Sequence, residues 1–337
     1  MLIDVLVDVQ RGDCGKGKIS KVLNDKNKYD IIAKYNGGGN AGHAVWVGDK
    51  KYTAHYLTSG LYDINTFIVI GCGCVLNPKD FLDEYNKFDK EFNLYNRVFI
   101  HPYTHIITDD HIIEDSKDTK IGTTKKGIGP AYSGKYMRTN LRAIDIPELE
   151  PFLLKNPSIV KELSAKKILM EGSQGWWLDI DYGSYPYVTS SHIHPGFAFA
   201  TFGIPLNRLN KVYGVAKIYE TYVGQAKNLV ICDEKDANII REKGQEYGET
   251  TGRPREIGYL NINDLIDACN YCGVNKLYIN KCDILDEVGI FKIIIDGKIT
   301  EFKTLKQMKK SIKKYINSYT KVSDVIFSGS RDGNDLK

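Results

Sequence analysis

The chain has 337 residues, 42% of them hydrophobic and 26% charged, with 46 Lys and Arg against 42 Asp and Glu. That length can bury one large core or two modest ones, and a net charge of +4 gives no push toward nucleic acid or an anionic membrane. No stretch approaches the ~18 apolar residues of a membrane span, no basic-flanked leader opens the chain, and seven cysteines in a chain this long do not make a disulfide scaffold. A soluble, cytoplasmic protein is expected, with neither nucleic acid nor membrane as partner.

The apolar run from Leu2 to Val9 reads as a buried strand, and Ile19, Val22 and Leu23 mark the start of a helix. Between them lies Gly12-Asp13-Cys14-Gly15-Lys16-Gly17-Lys18. Strand, glycine loop and helix together aim backbone N–H groups and a helix N-terminus at a phosphate. Lys16 and Lys18 add point charges. The P-loop pattern fits at Gly12, Gly17 and Lys18, but Ile19 stands where a Ser or Thr would hold Mg²⁺. The loop instead carries its own carboxylate, Asp13, able to hold a metal, take a proton, or do both in turn. A lysine-rich turn with glycines for tight geometry is the bland alternative. The helix N-terminus and the lysines are expected to lower the pKa of Cys14.

Asp30 to Lys34 reads as a second strand, running into Asn36-Gly37-Gly38-Gly39-Asn40-Ala41-Gly42-His43. Glycines so dense imply a backbone bent close to a ligand. Asn40 can donate to a phosphate there and His43 can bind developing negative charge; a structural histidine is the competing reading. Phe67 to Ile70 is a third strand, Pro78 to Phe88 a helix, and Arg97 to Ile100 and Ile106-Ile107 further strands. Gly122 to Tyr132, with Lys135 and Arg138, concentrates hydroxyls, cations and glycines, as either a second anion site or a solvated basic loop.

Ile168 to Met170 is a strand opening onto Glu171-Gly172-Ser173-Gln174-Gly175 and a polar, Tyr-rich stretch that runs to Ser191. Such a stretch inside a compact protein is more often a binding wall than a linker. Val212 to Ile218 is another strand. Arg253 and Arg255 flank a proline and suit a bidentate grip on a carboxylate. Leu260 to Cys272 has helical spacing; Cys269 and Cys272 have no second pair nearby to complete the four ligands of a closed zinc site, so they are read as structural thiols. Lys276 to Ile279 is a strand ending in Asn280-Lys281-Cys282-Asp283, the N-K-x-D element whose Asp accepts hydrogen bonds from guanine N1 and the 2-amino group. Leu305 to Lys314 is a basic surface helix, and Ser328 to Asp332 closes a ligand pocket. Strands alternating with helices predict an α/β fold, one large domain over 1–337 around a mainly parallel sheet. Both glycine loops fall beyond carboxyl strand ends, where such sheets bind ligands.

In this order the motifs resemble the adenylosuccinate synthetase family, from Asp4 to about Asp332. That family's G-D-E-G-K-G-K appears as G-D-C-G-K-G-K; N-A-G-H stands at Asn40 to His43 and G-T-T-x-x-G-I-G-P-A-Y at Gly122 to Tyr132. E-G-x-Q-G, Y-P-Y-V-T-S-S and T-T-G-R-x-R are intact. The resemblance implies a P-loop-like, GTP-binding, Mg²⁺-dependent ligase. GTP would phosphorylate the 6-oxygen of IMP, and L-aspartate would displace that phosphate to give adenylosuccinate.

Carried over residue by residue, Asp13, His43 and Lys16 would be catalytic, and Asp13 with the Gly42 carbonyl would hold the metal. Asn40, Thr124, Gln174, Thr189 and Arg253 would bind the substrate nucleotide, joined by Arg138 reaching across a homodimer. Thr250, Thr251, Arg253 and Arg255 would bind aspartate. Gly12, Gly15, Gly17, Lys18, Gly42, Arg255, Lys281, Asp283, Ser328 and Gly329 would bind GTP.

The chain departs from the family at Arg11 and Cys14, where Trp and Glu are usual, at Gly39 before Asn40, from His192 to Pro195, and in its shorter length. Two alternatives therefore stand beside IMP. Phage relatives make a 2-aminoadenine precursor from dGMP and tend to carry a small residue at the position of Asp13, so retained Asp13 favours IMP. A non-catalytic GTP-binding descendant would be favoured by loss of Asp13 or His43, and both are present.

Overall fold

The computed structural model describes residues 2–159, 163–224, 231–248 and 252–336. Its centre is an eight-stranded sheet in which every paired strand is parallel. Across the sheet the strands are Asp324–Phe327, Lys276–Asn280, Leu209–Lys217, Leu2–Asp8, Lys167–Gly175, Ile31–Lys34, Phe67–Ile70 and Val98–Ile100. Parallel strands are buried on both faces and so read as continuous apolar runs. In Leu2–Asp8 alternate residues serve opposite cores: Val5 and Val7 belong to the one that includes Phe199, Leu265 and Met308, while Leu6 belongs to the one that includes Ile19, Leu23 and Tyr278.

The expected strands recur with small shifts at their ends. Lys167–Gly175 runs five residues past Met170, and its last residues, Glu171 to Gly175, carry the polar motif into the site. The helix expected from Leu260 begins at Ile262, because Leu260 and Asn261 complete a strand and the Asn261 side chain caps the helix by accepting from the Asn263 and Asp264 N–H groups. The helix from Pro78 continues to Phe92, and that from Leu305 to Tyr319, where Ile316 extends its buried stripe. A hairpin, His43–Val47 with Lys50–Ala54, and a four-stranded sheet of Tyr219–Tyr222, Glu256–Asn261, Lys292–Ile295 and Lys298–Glu301 lay outside the sequence reading. Among the described residues no helix is long and apolar enough to cross a membrane.

Candidate active site

The central strand Leu2–Asp8 delivers the glycine loop to the carboxyl edge of the sheet, and the helix Lys16–Asn27 leaves from it. Gly12, Asp13 and Gly15 all take positive φ, at 89°, 58° and 89°. For Asp13 that left-handed backbone is uncommon, and it needs support. The support is Asp8, a fully buried carboxylate that accepts the N–H of Gln10 at 2.9 Å, of Gly12 at 3.3 Å and of Cys14 at 3.1 Å. Asn280 donates to the Cys14 carbonyl at 2.7 Å, which ties the N-K-x-D element to the same loop.

Gly17 is required for a different reason. A Cβ there would stand 2.4 Å from the Ala44 carbonyl oxygen, where the helix crosses the strand His43–Val47. Gly17→Ala would gain about 1 kcal/mol of helix propensity but force an overlap typically costing about 1–3 kcal/mol, with rigid backbone on the far side. The expected net is a lower denaturation midpoint in urea; an unchanged midpoint would mean the helix can shift freely.

The loop opens on a cavity of about 1120 Å³, more than one small ligand fills. Gly12, Asp13, Gly15, Lys16, Gly17, Lys18, Asn40, Gly42, His43, Thr124, Gln174, Thr189, Arg255, Lys281, Asp283 and Gly329 all line it. Thus the two glycine loops, the hydroxyl-rich segments and the N-K-x-D element converge from distant parts of the chain. Arg138 is exposed at the end of the helix Ile128–Met137 and does not line the cavity. Arg253 stands one residue behind the wall, donating to the Gly122 carbonyl at 3.1 Å, and Ser328 lies behind Gly329. Thr250 and Thr251 lie outside the described residues.

Three groups of titratable side chains organise the cavity. The Asp13 Oδ2 receives Arg255 through Nε at 3.1 Å and Nη2 at 2.7 Å. Burial pushes the Asp13 carboxyl up, but the Arg255 guanidinium, with Lys217 and Lys16 behind it, more than offsets this and holds it below the usual range. Here Arg255 grips the protein's own carboxylate. Its Nη1 donates to Glu246, a fully buried carboxylate that also takes Lys217 at 2.7 Å and the Tyr219 hydroxyl at 2.6 Å. Burial raises the Glu246 carboxyl; its cations bring it down to about 2.

The second group is His43. Its Nδ1 bonds Glu171, whose other oxygen accepts the hydroxyls of Ser20 and Ser59, each at 2.6 Å. Burial raises the Glu171 carboxyl, but His43 and the two hydroxyls pull it down to about 2. Burial likewise lowers the His43 pKa below the ordinary imidazole value, against the pull of Glu171. With Nδ1 bound to an ionised carboxylate, the tautomer leaves Nε2 with a lone pair. That buried Nε2 has no partner among the described residues, and His43 lines the cavity. Buried polar atoms are normally satisfied, so the ring is oriented for a ligand.

The third group is the lysine pair. Lys16 donates to the Gln174 carbonyl at 2.6 Å and approaches Asp8 at 3.4 Å. Lys18 donates to Ser328 Oγ at 2.9 Å and the Ser330 carbonyl at 3.0 Å. Ile19, in the place of a metal-binding hydroxyl, is fully buried beneath the sheet, and the neighbouring Ser20 turns to Glu171.

The expectation for Cys14 is overturned. Burial and the adjacent Asp8 carboxylate push the thiol well above its ordinary value, and the lysines do not compensate. Its Sγ faces Gln10 Oε1 at 3.0 Å beneath the loop. Arg11 pairs with buried Glu220 at 2.6 Å, and burial still raises the Glu220 carboxyl to about 7. A further cluster of Asp179, Asp181 and His192 lies apart from the cavity wall. The Asp179 oxygens are occupied by the N–H groups of Asp181, Tyr182 and Ile193, which makes it a loop brace.

A phosphate loop and an N-K-x-D element at the carboxyl edge of one parallel sheet define the class as a P-loop-like, purine-nucleotide-dependent enzyme. The family model for adenylosuccinate synthetase matches residues 5–163 and 147–326. The adenylosuccinate synthetase of Thermodesulfovibrio yellowstonii is 35% identical over 87% of this chain and 80% of its own length. That of Malacoplasma penetrans is 30% identical over 99% of this chain and 89% of its own. Among solved structures, fully ligated adenylosuccinate synthetase from Plasmodium falciparum superposes with a TM-score of 0.85 at 28% identity, covering 98% of this chain and 97% of that one. Cyanophage S-2L succinoaminodeoxyadenylate synthetase, bound to dGMP and to dATP as an energy donor, has a TM-score of 0.72 at 21% identity, covering 93% and 99%; it shares the fold. The chain belongs to the adenylosuccinate synthetase family, enzymes of the ligase class that bind GTP and serve purine biosynthesis.

Proposed function

We propose that the chain, 1–337 acting as one catalytic unit, ligates L-aspartate to the 6-position of IMP at the expense of GTP. The products are adenylosuccinate, GDP and phosphate. The observation that carries the reading is one cavity holding an anionic carboxylate, Asp13, and an unpartnered imidazole nitrogen, His43 Nε2, between a phosphate loop and an N-K-x-D element.

A purine 6-oxo group is a poor leaving group, and phosphorylation makes it a good one. Asp13 takes the N1 proton, so that electron density moves onto the 6-oxygen, which attacks the γ-phosphorus and releases GDP. His43 and Lys16 meet the charge on the transferring phosphoryl group, in the manner of preorganised donors. The negative charge of the triphosphate raises the proton affinity of His43 Nε2, which takes a proton from solvent and becomes a donor. The amino group of aspartate then attacks C6, and phosphate leaves with the original 6-oxygen. Thr250, Thr251, Arg253 and Arg255 would receive the aspartate carboxylates, with Arg255 exchanging Asp13 for them. Asn40, Thr124, Gln174 and Thr189 would hold IMP. The glycine loop, Lys18, Lys281, Asp283, Ser328 and Gly329 would hold GTP.

Mg²⁺ fits the donors present. A hard cation takes carboxylate and carbonyl oxygens, and Asp13 and the Gly42 carbonyl, both on the cavity wall, would hold it and neutralise triphosphate charge. A homodimer places the exposed Arg138 at a partner's nucleotide. The neighbouring Tyr136, Met137, Leu141 and Ile144 are about half exposed or more, an apolar surface suited to a second copy.

The test supplies GTP, Mg²⁺ and aspartate with IMP or dGMP in separate reactions and reads products by mass spectrometry. Adenylosuccinate from IMP is expected. Product from dGMP alone would move the enzyme to the 2-aminoadenine route, and no product from either would leave a non-catalytic GTP-binding protein.

A further inference from the structure

The segment Ser328–Ser330 follows the last parallel strand, Asp324–Phe327, and has no regular structure. Its polar groups are nonetheless held from two sides. From the phosphate loop, Lys18 donates to Ser328 Oγ at 2.9 Å and to the Ser330 carbonyl at 3.0 Å. From the end of the chain, Asp335 accepts Ser328 Oγ at 2.8 Å, the Gly329 N–H at 2.7 Å, the Ser330 N–H at 3.2 Å and Ser330 Oγ at 2.5 Å. Ser328 therefore relays one directed chain, accepting from a cation and donating to a carboxylate. Such chains reinforce each other.

The clamp has a consequence at Asp283. Gly329 lies so close to it that a Cβ would meet both the Asp283 Cβ and its backbone nitrogen at 3.1 Å. The Ser328 carbonyl also accepts the Cys282 N–H at 3.1 Å, one residue before Asp283. The wall beside Asp283 is thus set by residues distant in sequence. Asp335 lies beyond residue 326, where the family match ends. Among the described residues the Lys18 ammonium donates to this segment twice, which ties the glycine loop to the wall beside Asp283.

We propose that Asp335 and Lys18 are positioning residues that clamp the Ser328–Ser330 loop against Asp283, and that this clamp sets the nucleobase selectivity of the triphosphate site. The inference rests on the GTP reading above. It deepens that reading by adding a selectivity element outside the N-K-x-D motif. Asp335 is exposed on its outer side and belongs to no catalytic group, so its removal leaves the chemistry in place.

The experiment compares wild type and Asp335→Ala with GTP and with ITP, which lacks the 2-amino group that Asp283 would read. With four bonds to one loop lost, the KM for GTP is expected to rise about tenfold and the GTP-over-ITP preference to shrink about as much. The kcat at saturating GTP and the KM values for IMP and aspartate are expected to stay within about twofold. Asp335→Asn, which keeps one acceptor oxygen, is expected to fall between the two. An unchanged GTP-over-ITP ratio, or an equal decline of every parameter, would overturn the clamp. Failure of the wild type to use GTP would overturn the functional reading instead. In that case faster amide exchange at Gly329 and Ser330 in Asp335→Ala still tests the clamp, and unchanged exchange would refute it.

Discussion

Asp13→Asn is expected to lower kcat by about 10²–10⁴-fold, the span associated with loss of a general base, while GTP binding measured by calorimetry persists. The substitution keeps the shape of the side chain and one acceptor oxygen for Arg255 while removing the charge. Asn is among the residues that tolerate the left-handed backbone found at Asp13, with φ 58°, and Asp8 continues to hold the loop through the Gln10, Gly12 and Cys14 amides. Arg255 keeps its second anchor, Glu246. What disappears is the carboxylate that Arg255, Lys217 and Lys16 hold ionised against the effect of burial. A variant with near-normal turnover would remove Asp13 from its assigned role; one that lost GTP binding as well would mean the loop depends on this carboxylate for its shape.

The second large effect is expected at His43. His43→Ala should cost about 10²–10³-fold in kcat, typical of removing one preorganised donor to developing charge, with little change in the KM for IMP. The ring is held at Nδ1 by Glu171, itself fixed by Ser20 and Ser59, and presents an Nε2 without a partner among the described residues. Burial lowers the His43 pKa, so in the proposed mechanism the incoming phosphoryl anion supplies the attraction for the second proton. In the proposed mechanism the protonated ring is the active form, so kcat should fall as pH rises through the ligand-bound pKa of His43. The alanine variant should lose that limb of the profile. A wild-type profile in the variant would place the limb elsewhere.

The motifs were legible because each combines a local backbone signal with a chemical one. Gly12 to Lys18 advertises a phosphate loop through glycine spacing after an apolar strand, and Lys276–Asn280 places N-K-x-D at a strand end in the same way. The supporting charges were not legible. Asp8, Glu171 and Lys217 each stand at or near the carboxyl end of an apolar strand, a position where an unpaired charge would be costly. That cost is the signal that could have singled them out, since each must find a partner. Which partner it finds depends on strand order, and the neighbours Leu209–Lys217 and Lys167–Gly175 flank Leu2–Asp8 only after long crossovers. Glu246 and Asp335 lie in loop-rich stretches with no periodicity to mark them, so only the assembled fold reveals what they hold. Cys14 shows the converse error. The helix N-terminus and lysines are as near as the sequence implies, but burial and Asp8 outweigh them.

The most direct test of the proposed chemistry follows the 6-oxygen itself. IMP carrying ¹⁸O at position 6 would be turned over with GTP, aspartate and Mg²⁺, and the released phosphate analysed by mass spectrometry. The account predicts one ¹⁸O in each phosphate formed with adenylosuccinate, because the oxygen departs on the phosphoryl group it attacked. Unlabelled phosphate accompanying the same product would contradict it.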